Sequence, residues 1–442
     1  LVSIINKIDQ MYVDSVKKKE LIDDAIRSIL QNLDPHSYYI SAEEIEASTE
    51  PLQGNFEGIG VEFMIQKDTL LVVHPIEGGP SEELGILAGD RILEVDGESI
   101  AGIGLTNEKV MKLLKGKKGS TVNLKVKRRS SPTPIDFEII RDKIPIFSVV
   151  ADMNVAPEIG YVKITRFAKN TDEEFIEAVD QLRADGAKKL IIDLRGNGGG
   201  YLHTCIPIVE EFLEKGKLIV YTEGLNEPRA DYNSRKNGKY RDMDIVVLVN
   251  QGSASASEIL AGALQDHDRS ITVGRRSFGK GLVQNQVPLP DKSALRLTVA
   301  RYYTPTGRSI QKPYGEGIDY DNDYYNRYDH GELMSADSIS FSDSLKFTTP
   351  AGRVVYGGGG IMPEFFVPLD TTSGSAYLNE LLYNGIFRSY GYEYAEENES
   401  MKSEYETVEA FINANPLTNL DMEKFYDSAT AEGVTKDLFG IG

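Results

Sequence analysis

The sequence predicts a multi-domain α/β protein. Two continuous apolar runs, 189–194 and 244–250, have the composition of strands that are buried on both faces. Helical patterns at 172–182, 206–213 and 256–266 separate or follow these runs, and such alternation is typical of an α/β core. A chain of 442 residues is also too long for one hydrophobic core, so we expect roughly two to four modules.

Four regions can be distinguished along the chain. Residues 1–50 are expected to be helical, because apolar residues recur at helical spacing over 21–30 and the pattern ends at Asp34-Pro35. Region 51–143 changes to short strands and turns, which predicts a small β-rich module with two helices. Its expected strands are 61–65, 70–74, 91–95 and 121–127, and its expected helices are 81–87 and 107–114.

The α/β core is expected to span 144–370. Within it, 314–344 is rich in Tyr, Asp, Asn and Ser, and we interpret it as a long surface insertion. The remaining stretch, 371–442, reads as helical and acidic.

The composition excludes several classes of function. Lys and Arg number 48 and Asp and Glu number 68, so the net charge is −20 and a nucleic-acid partner is not expected. No run approaches the length of a membrane-spanning helix, and we expect no transmembrane segment. Cys205 is the only cysteine, so no disulfide forms within the chain, and its apolar neighbours favour a buried hydrophobe over a nucleophile.

The most informative segment is 249–260. A strand pattern ends in small residues, and a helix is expected to begin beside Ser255. A helix N-terminus presents unpaired N–H groups and the positive end of the dipole, which would stabilise an oxyanion. Ser255 is therefore a candidate nucleophile. However, Ser255 and Glu258 also form a capping-box pattern, in which the serine would only cap the helix.

A nucleophilic serine needs a general base, and none of the five histidines lies in a recognisable triad context. Lysine can serve where burial lowers its pKa from about 10.4 to roughly 7–8. Lys280 is the best candidate, because glycines flank it and apolar residues follow. The alternative interpretation is an ordinary exposed loop lysine.

Two other segments match known ligand-binding motifs only in part. Residues 274–280 match the start of a phosphate-binding P-loop, but Gly281 stands where a Mg²⁺-binding Ser or Thr is required. The acidic run 319–323 resembles the start of a calcium-binding loop, but the glycine and the final glutamate of such a loop are missing. We therefore expect no nucleotide and no metal.

Together these segments resemble the C-terminal processing peptidases, also called tail-specific proteases. The resemblance runs from about residue 21 to residue 369. The motifs that carry it are LDPHS at 33–37, GIGV at 58–61, GDRILEVDG at 89–97, DLR at 193–195, SASASE at 253–258, and FGKG with a glutamine three residues later at 278–284.

The resemblance implies a serine endopeptidase with a crotonase-like core and no cofactor. It implies these groups: Ser255 as nucleophile, Lys280 as base, Gln284 as a support for the lysine amine, and an oxyanion hole made by the N–H of Ala256 and of Gly199 or Gly200. The glycine loop Gly196-Asn197-Gly198-Gly199-Gly200 departs from the family's commoner Asn-Asn-Pro-Gly-Gly, so the donating glycine stays open.

The resemblance also implies a PDZ-like module that grips substrate C-termini. The peptide would add as a strand beside 61–65, and its carboxylate would bind N–H groups of the loop Gly58, Ile59, Gly60 and Val61. The alternative interpretation of that loop is a glycine-rich strand entry. Unfolded or tailed proteins would be the substrates, a homodimer is possible, and the location would be the bacterial cell envelope, periplasmic or secreted, with a signal peptide ahead of Leu1.

The alternative function is a non-catalytic peptide- or ligand-binding protein on the same fold. The joint presence of Ser255, Lys280 and Gln284 argues against it.

Overall fold

The computed structural model describes residues 2–339, 342–372, 374–398 and 400–436. These form two compact units, one from 1–56 and 145–369 and the other from 57–144 and 370–442. Parts of the expected regions lie outside the described residues, namely 1, 340–341, 373, 399 and 437–442.

The described residues contain both helices and strands, which are numbered in chain order. The helices are α1 Val2–Met11, α2 Lys18–Gln31, α3 Ile45–Gln53, α4 Pro80–Glu83, α5 Asn107–Leu114, α6 Thr171–Ala184, α7 Leu202–Glu210, α8 Ala256–Asp266, α9 Asp323–Asp329, α10 Ala376–Tyr383, α11 Ile386–Glu397, α12 Met401–Glu404, α13 Val408–Ala414 and α14 Asn419–Ala431. The strands are β1 Tyr38–Ile40, β2 Asn55–Gly58, β3 Val61–Gln66, β4 Thr69–Pro75, β5 Arg91–Val95, β6 Glu98–Ser99, β7 Thr121–Lys127, β8 Ile135–Ile140, β9 Asp142–Pro145, β10 Val149–Ala156, β11 Ile159–Ile164, β12 Lys189–Asp193, β13 Leu218–Glu223, β14 Ala230–Asn233, β15 Asp244–Val249, β16 Ser270–Gly274, β17 Leu282–Pro288, β18 Ala294–Tyr303, β19 Lys346–Thr348, β20 Val354–Tyr356 and β21 Phe365–Phe366. Two 3₁₀ turns cover Ala336–Ser338 and Asp343–Leu345.

The first unit is built on a mainly parallel sheet. Its strand order is β10-β11-β12-β15-β16-β21, with β10 antiparallel at one edge and the others parallel. The strands β12 and β15, predicted from their apolar runs, lie side by side in its middle. Val162, Ile192 and Val247 are fully buried in the core of this unit, and the parallel ladder brings the carboxyl ends of β12 and β15 to the same edge.

A second sheet of this unit has the order β1-β18-β13-β14, with β17 also paired to β18. Helix α8 contacts β16 of the parallel sheet and β13 of the second sheet. All residues of α8 are buried, because it lies between two apolar surfaces. The loop between β16 and β17 contains Lys280, so this arrangement brings segments from both sheets near the start of α8.

The second unit contains a small sheet and a helical cluster. The sheet order is β3-β4-β5-β7-β8 with β6 beside β5, and Leu70, Ile92 and Val122 form part of its core. The described residues after 375 form α10 to α14, whose own core includes Leu381 and Phe425. In this unit Arg91 of β5 forms a two-pronged ion pair with Glu396 of α11.

Two sequence-based element predictions need correction. Helix 81–87 is shorter than expected, because α4 ends at Glu83 and Gly85 follows with φ 80°. Helix 206–213 begins earlier and ends earlier, as α7 Leu202–Glu210, because the helix starts directly after the glycine loop. The predictions at 91–95, 107–114, 121–127 and 256–266 agree with the structure to the residue.

Segment 314–344, predicted to be a long surface insertion, also has a buried part. This segment contains α9, and the residues Arg327 and Leu333 are buried, with 4% and 1% of their surfaces exposed. Its polar composition suggested solvent exposure, but several of its charged side chains are paired inside the first unit.

Within the described ranges, no helix combines the length and apolarity needed to cross a membrane.

Candidate active site

Ser255 lies at the junction between the loop after β15 and helix α8. Its backbone has φ 58° and ψ −114°, a conformation that a residue with a Cβ rarely adopts. Such strain costs about 1–3 kcal/mol and collects at functional sites. A serine held in this way at a strand-to-helix turn resembles the nucleophile elbow of α/β-hydrolases.

The two neighbouring serines have structural roles, which sets Ser255 apart. Ser253 is fully buried and its hydroxyl donates to the carbonyl of Leu194 at 2.8 Å. Ser257 is also fully buried and its hydroxyl donates to the carbonyl of Asn197 at 2.9 Å. Ser255 is partly exposed.

The glycine loop after β12 lies directly against Ser255. A methyl group added at Gly199 would come within 2.7 Å of the Ser255 Cβ and 3.0 Å of the Ala256 nitrogen. Gly199 also has φ 98°, so only glycine fits this position without strain. The structure therefore brings together Ser255, Ala256 and the predicted loop.

The two glycine candidates for the oxyanion hole differ in their hydrogen bonding. The Gly199 N–H donates to the Asn197 side chain at 2.8 Å. The Gly200 N–H has no hydrogen-bond partner among the described residues, and the N–H of Ala256 belongs to the first residue of α8, where no helical acceptor exists. The Gly199 N–H can bind an oxyanion only after its hydrogen bond to the Asn197 side chain is broken.

Glu258 connects the serine turn to the lysine loop. Its Oε2 accepts the N–H of Ser255 at 2.9 Å and of Lys280 at 2.8 Å. Its Oε1 accepts the Gly279 N–H at 2.7 Å and the Ser277 hydroxyl at 2.5 Å. Burial raises the pKa of this carboxyl to about 7, although the four donors favour its ionised form. The capping-box partner predicted from sequence thus binds backbone N–H groups of both candidate catalytic residues, Ser255 and Lys280.

Lys280 is mostly buried at the end of this loop. Burial, reinforced by the positive charge of Arg296, lowers the pKa of Lys280 below its ordinary value, while Glu258 and Asp34 act in the opposite direction. A lowered pKa is the property that a lysine base requires. Among the described residues, no hydrogen bond joins the Lys280 amine to the Ser255 hydroxyl.

Gln284 lies on β17, and its amide nitrogen donates to the Thr298 hydroxyl of β18 at 3.3 Å. It makes no hydrogen bond to Lys280 within the described part of the chain. Thr298 in turn donates to Asp34 at 3.0 Å. The predicted helix stop at Asp34 therefore has a further role, because it fixes the partner of Gln284.

His36 follows Asp34 and lies close enough to Lys280 to respond to its charge. Burial, together with the positive charge of Lys280, lowers the pKa of His36 to about 4. The imidazole is therefore neutral at physiological pH, and its Nε2 lies 2.8 Å from the Tyr320 hydroxyl. This arrangement differs from a serine triad, because the hydrogen-bond partner of His36 is a tyrosine.

Tyr302 of β18 is a second link between the two segments. Its hydroxyl lies 3.1 Å from the carbonyl oxygen of Ser255 and within hydrogen-bond reach of the carbonyl oxygen of Lys280. Tyr302 is only 2% exposed. Glu258 and Tyr302 thus bind the N–H and C=O groups of the same two residues.

In the second unit, the predicted carboxylate-binding loop forms the entry to β3. Gly58, Ile59 and Gly60 are buried, and Gly60 has φ 75°. The Ile59 carbonyl accepts both the N–H and the hydroxyl of Ser81. Strand β3 is at one end of the sheet order, so its outer edge is the position at which a peptide strand could add.

Comparison with known proteins identifies the family. The model of peptidase family S41 matches residues 158–324, and the PDZ domain model matches residues 58–139. A carboxy-terminal-processing protease of Bartonella bacilliformis is 39% identical over 313 residues, which cover 70% of this chain and 71% of that protein. The chain belongs to the carboxy-terminal processing proteases of peptidase family S41. It is therefore a serine-type peptidase that carries a PDZ domain.

Two further proteins are similar to this chain over a comparable share of its length. The carboxy-terminal processing protease CtpA of Bacillus subtilis is 38% identical over 307 residues, which cover 69% of this chain and 65% of CtpA. The chain thus spans slightly less than two thirds of that relative. The solved photosystem II D1 C-terminal processing protease is 30% identical, with 70% of this chain and 89% of that chain covered and a TM-score of 0.40.

Several groups around the site of this S41 peptidase were missed or undervalued in the sequence. Glu258 carried a signal, but only as a capping-box partner. Tyr302 and Thr298 lie on a strand whose pattern gives no indication of a site, and their roles follow only from the pairing of β17 with β18. Cys205 is fully buried, as predicted, and burial raises the pKa of its thiol.

Proposed function

We propose that this S41 peptidase is an endopeptidase in which Ser255 is the nucleophile and Lys280 the general base, acting on unfolded or C-terminally tagged proteins. The observation that carries the proposal is the shared carboxylate of Glu258, which binds the N–H groups of Ser255 and Lys280 at 2.9 and 2.8 Å. Two residues 25 positions apart are thereby held on one group.

The chemistry follows from these positions. Neutral Lys280 removes the proton of the Ser255 hydroxyl, whose oxygen attacks the scissile carbonyl and forms a tetrahedral intermediate. The oxyanion would bind the N–H of Ala256 and that of Gly200, or of Gly199 after its bond to Asn197 is exchanged. Protonated Lys280 then gives its proton to the leaving amine as the C–N bond breaks, which leaves an acyl-enzyme. Water hydrolyses this ester with Lys280 again as base.

Gln284 would support Lys280 through its amide oxygen. Its amide nitrogen is bonded to Thr298, so its amide oxygen is the atom that would orient the lysine amine. An acceptor at that place keeps a neutral amine directed at the serine.

We further propose that the PDZ domain binds the substrate C-terminus. The free edge of β3 would pair with the peptide, and N–H groups of the loop Gly58, Ile59, Gly60 and Val61 would bind the carboxylate. The crotonase-like classification of the core and the location in the cell envelope, periplasmic or secreted, remain proposals that rest on the resemblance.

Cleavage assays test the proposal directly. Wild type, Ser255→Ala and Lys280→Ala are incubated with casein and with tailed peptides that end in a free carboxylate or in an amide. We expect cleavage by wild type alone and slower cleavage of the amidated peptide. Full activity of Ser255→Ala would refute the nucleophile, and equal cleavage of both peptides would refute the carboxylate contact.

The pH profile of acylation tests the base. Because the pKa of Lys280 is lowered, the fraction of neutral amine rises with pH at values below those of free lysine. We expect activity to rise through an apparent pKa below about 10.4. A flat profile from pH 6 to 10 would remove Lys280 as the base.

A further inference from the structure

Segment 312–332 supplies a buried group of charges beside the lysine loop. Arg327, on α9, has 3% of its side chain exposed, and Lys312 has 4%. Asp323 pairs with both, at 2.9 Å from Arg327 and 3.1 Å from Lys312. Glu332 pairs with Arg276 at 2.5 Å and lies 3.9 Å from Arg327. Burying so many charges is costly unless each has partners.

Two residues of this group bind consecutive carbonyl oxygens of the loop, Arg327 through its guanidinium and Lys312 through its backbone N–H. The Arg327 guanidinium donates to the carbonyl of Ser277 at 2.8 Å and to that of Phe278 at 3.1 Å. The Lys312 N–H donates to the carbonyl of Gly279 at 2.9 Å. The Lys312 ammonium also lies 4.1 Å from the centre of the Phe278 ring. Segment 312–332 therefore binds the C=O groups that immediately precede Lys280.

Glu258 binds N–H groups of the same loop. That carboxylate accepts the N–H of Gly279 and of Lys280. The loop is thus held between a carboxylate on the helix of Ser255 and a guanidinium on α9. Neither group alone fixes the peptide planes, since Glu258 restrains only the N–H groups and Arg327 only the C=O groups.

We propose that Arg327 is a positioning residue for Lys280, through its hold on the carbonyls of Ser277 and Phe278. The inference rests on the proposed dyad and deepens it. Without the guanidinium fork the loop gains freedom, the amine moves relative to Ser255, and water reaches it. Misplacement by about 1 Å can cost about 100-fold in rate.

The test variant is Arg327→Lys, which keeps the charge and loses the fork. We expect kcat to fall about 30- to 100-fold, with KM changed less than about threefold. We also expect the acidic limb of the pH profile to move to higher pH, because a more hydrated amine has a higher pKa. The charged or titratable groups that influence Lys280 are Arg296, Glu258, Asp34 and His36, and the variant alters none of them.

Arg353→Lys is the matched control. The Arg353 guanidinium also donates to two carbonyls, those of Gln265 at 2.8 Å and Ser270 at 3.2 Å. It also pairs with two carboxylates, Asp268 at 2.6 Å and Glu364 at 2.9 Å. Its side chain is 30% exposed, so we expect a smaller loss of thermal stability than for Arg327→Lys, with an unchanged pH limb and less than a threefold change in kcat. Equal kcat values and equal pH limbs for the two variants would overturn the inference.

A second variant and the dyad variants complete the test. If circular dichroism shows that Arg327→Lys is unfolded, Asp323→Asn replaces it, because Asp323 holds Arg327 and Lys312 in place. For Asp323→Asn we also expect kcat to fall and the acidic limb of the pH profile to move to higher pH. An unchanged pH limb in this variant would overturn the inference. Activity retained by Lys280→Ala would instead refute the dyad itself, so the two failures are distinguishable.

Discussion

The strained backbone of Ser255 gives a prediction that separates function from stability. Ser255→Ala and Ser255→Gly both remove the hydroxyl, so both should be inactive. They differ only in the Cβ, and the Cβ is the origin of the strain at φ 58° and ψ −114°. We therefore expect the glycine variant to be the more stable of the two.

The expected magnitude follows from two opposing terms. Relief of backbone strain contributes about 1–3 kcal/mol. The greater freedom of glycine in the unfolded chain removes about 0.4–1 kcal/mol of that gain. The net difference should be about 1–2 kcal/mol, or a melting temperature higher by about 1–3 °C in a unit of this size. Without strain the sign reverses, so the sign itself is diagnostic.

Urea and thermal unfolding of the full chain, followed by far-ultraviolet circular dichroism, measure this difference. Because both variants lack the nucleophile, self-cleavage does not disturb the comparison. Ala254→Gly, made in the Ser255→Ala background, is the control at a neighbour without positive φ, and it should lose about 0.5–1 kcal/mol. If Ser255→Gly is less stable than Ser255→Ala by a similar amount, the backbone stores no strain and the argument is wrong.

Three further predictions concern groups around the dyad. Tyr302→Phe should lower kcat about tenfold, because a net contribution of about 1–1.5 kcal/mol is lost when the hydroxyl that binds Ser255 and Lys280 is removed; steady-state kinetics should show no such loss for Tyr303→Phe. Because burial raises the pKa of Glu258 to about 7 from 4.5, the folded state binds the extra proton between these values, and this contribution to stability is full below about pH 4.5 and lost as pH rises through 7. Glu258→Gln should therefore flatten the pH dependence of the unfolding free energy in that window, and an unchanged slope in urea titrations would contradict the assignment. Cys205 should not react with iodoacetamide in the native enzyme, which should keep its activity, because its thiol is fully buried with a raised pKa. In urea the thiol should be labelled once. Rapid labelling of the native protein, detected by mass spectrometry, would disprove its burial.

The parts that could be predicted from sequence are those determined by local patterns. The strand 91–95 and the helices 107–114 and 256–266 agree with the structure to the residue, since each has a clear period and a clear boundary. The sequence pattern also predicts the start of the helix beside Ser255. What that pattern could not decide was whether Ser255 caps the helix or serves as a nucleophile, because both uses require a serine at the same place.

The parts that could not be predicted depend on contacts between distant segments. Arg327 is 50 residues from Ser277, and no local pattern indicates that its guanidinium binds that carbonyl. The polar composition of 314–344 pointed to solvent, since composition records charge but not pairing. Gln284 was predicted from the resemblance, but its bond to Thr298 depends on strand register.

The contacts of Glu258 explain how the strain at Ser255 can persist. Glu258 accepts four hydrogen bonds, one of them from the strained residue itself. A strained conformation persists where the surrounding contacts over-determine it, and these four contacts fix the turn from both sides. The same carboxylate is bound to the Lys280 N–H, and any relaxation of the Ser255 turn that moved Glu258 would therefore also disturb the lysine. Strain in the serine turn and placement of the lysine are thus two consequences of one buried group.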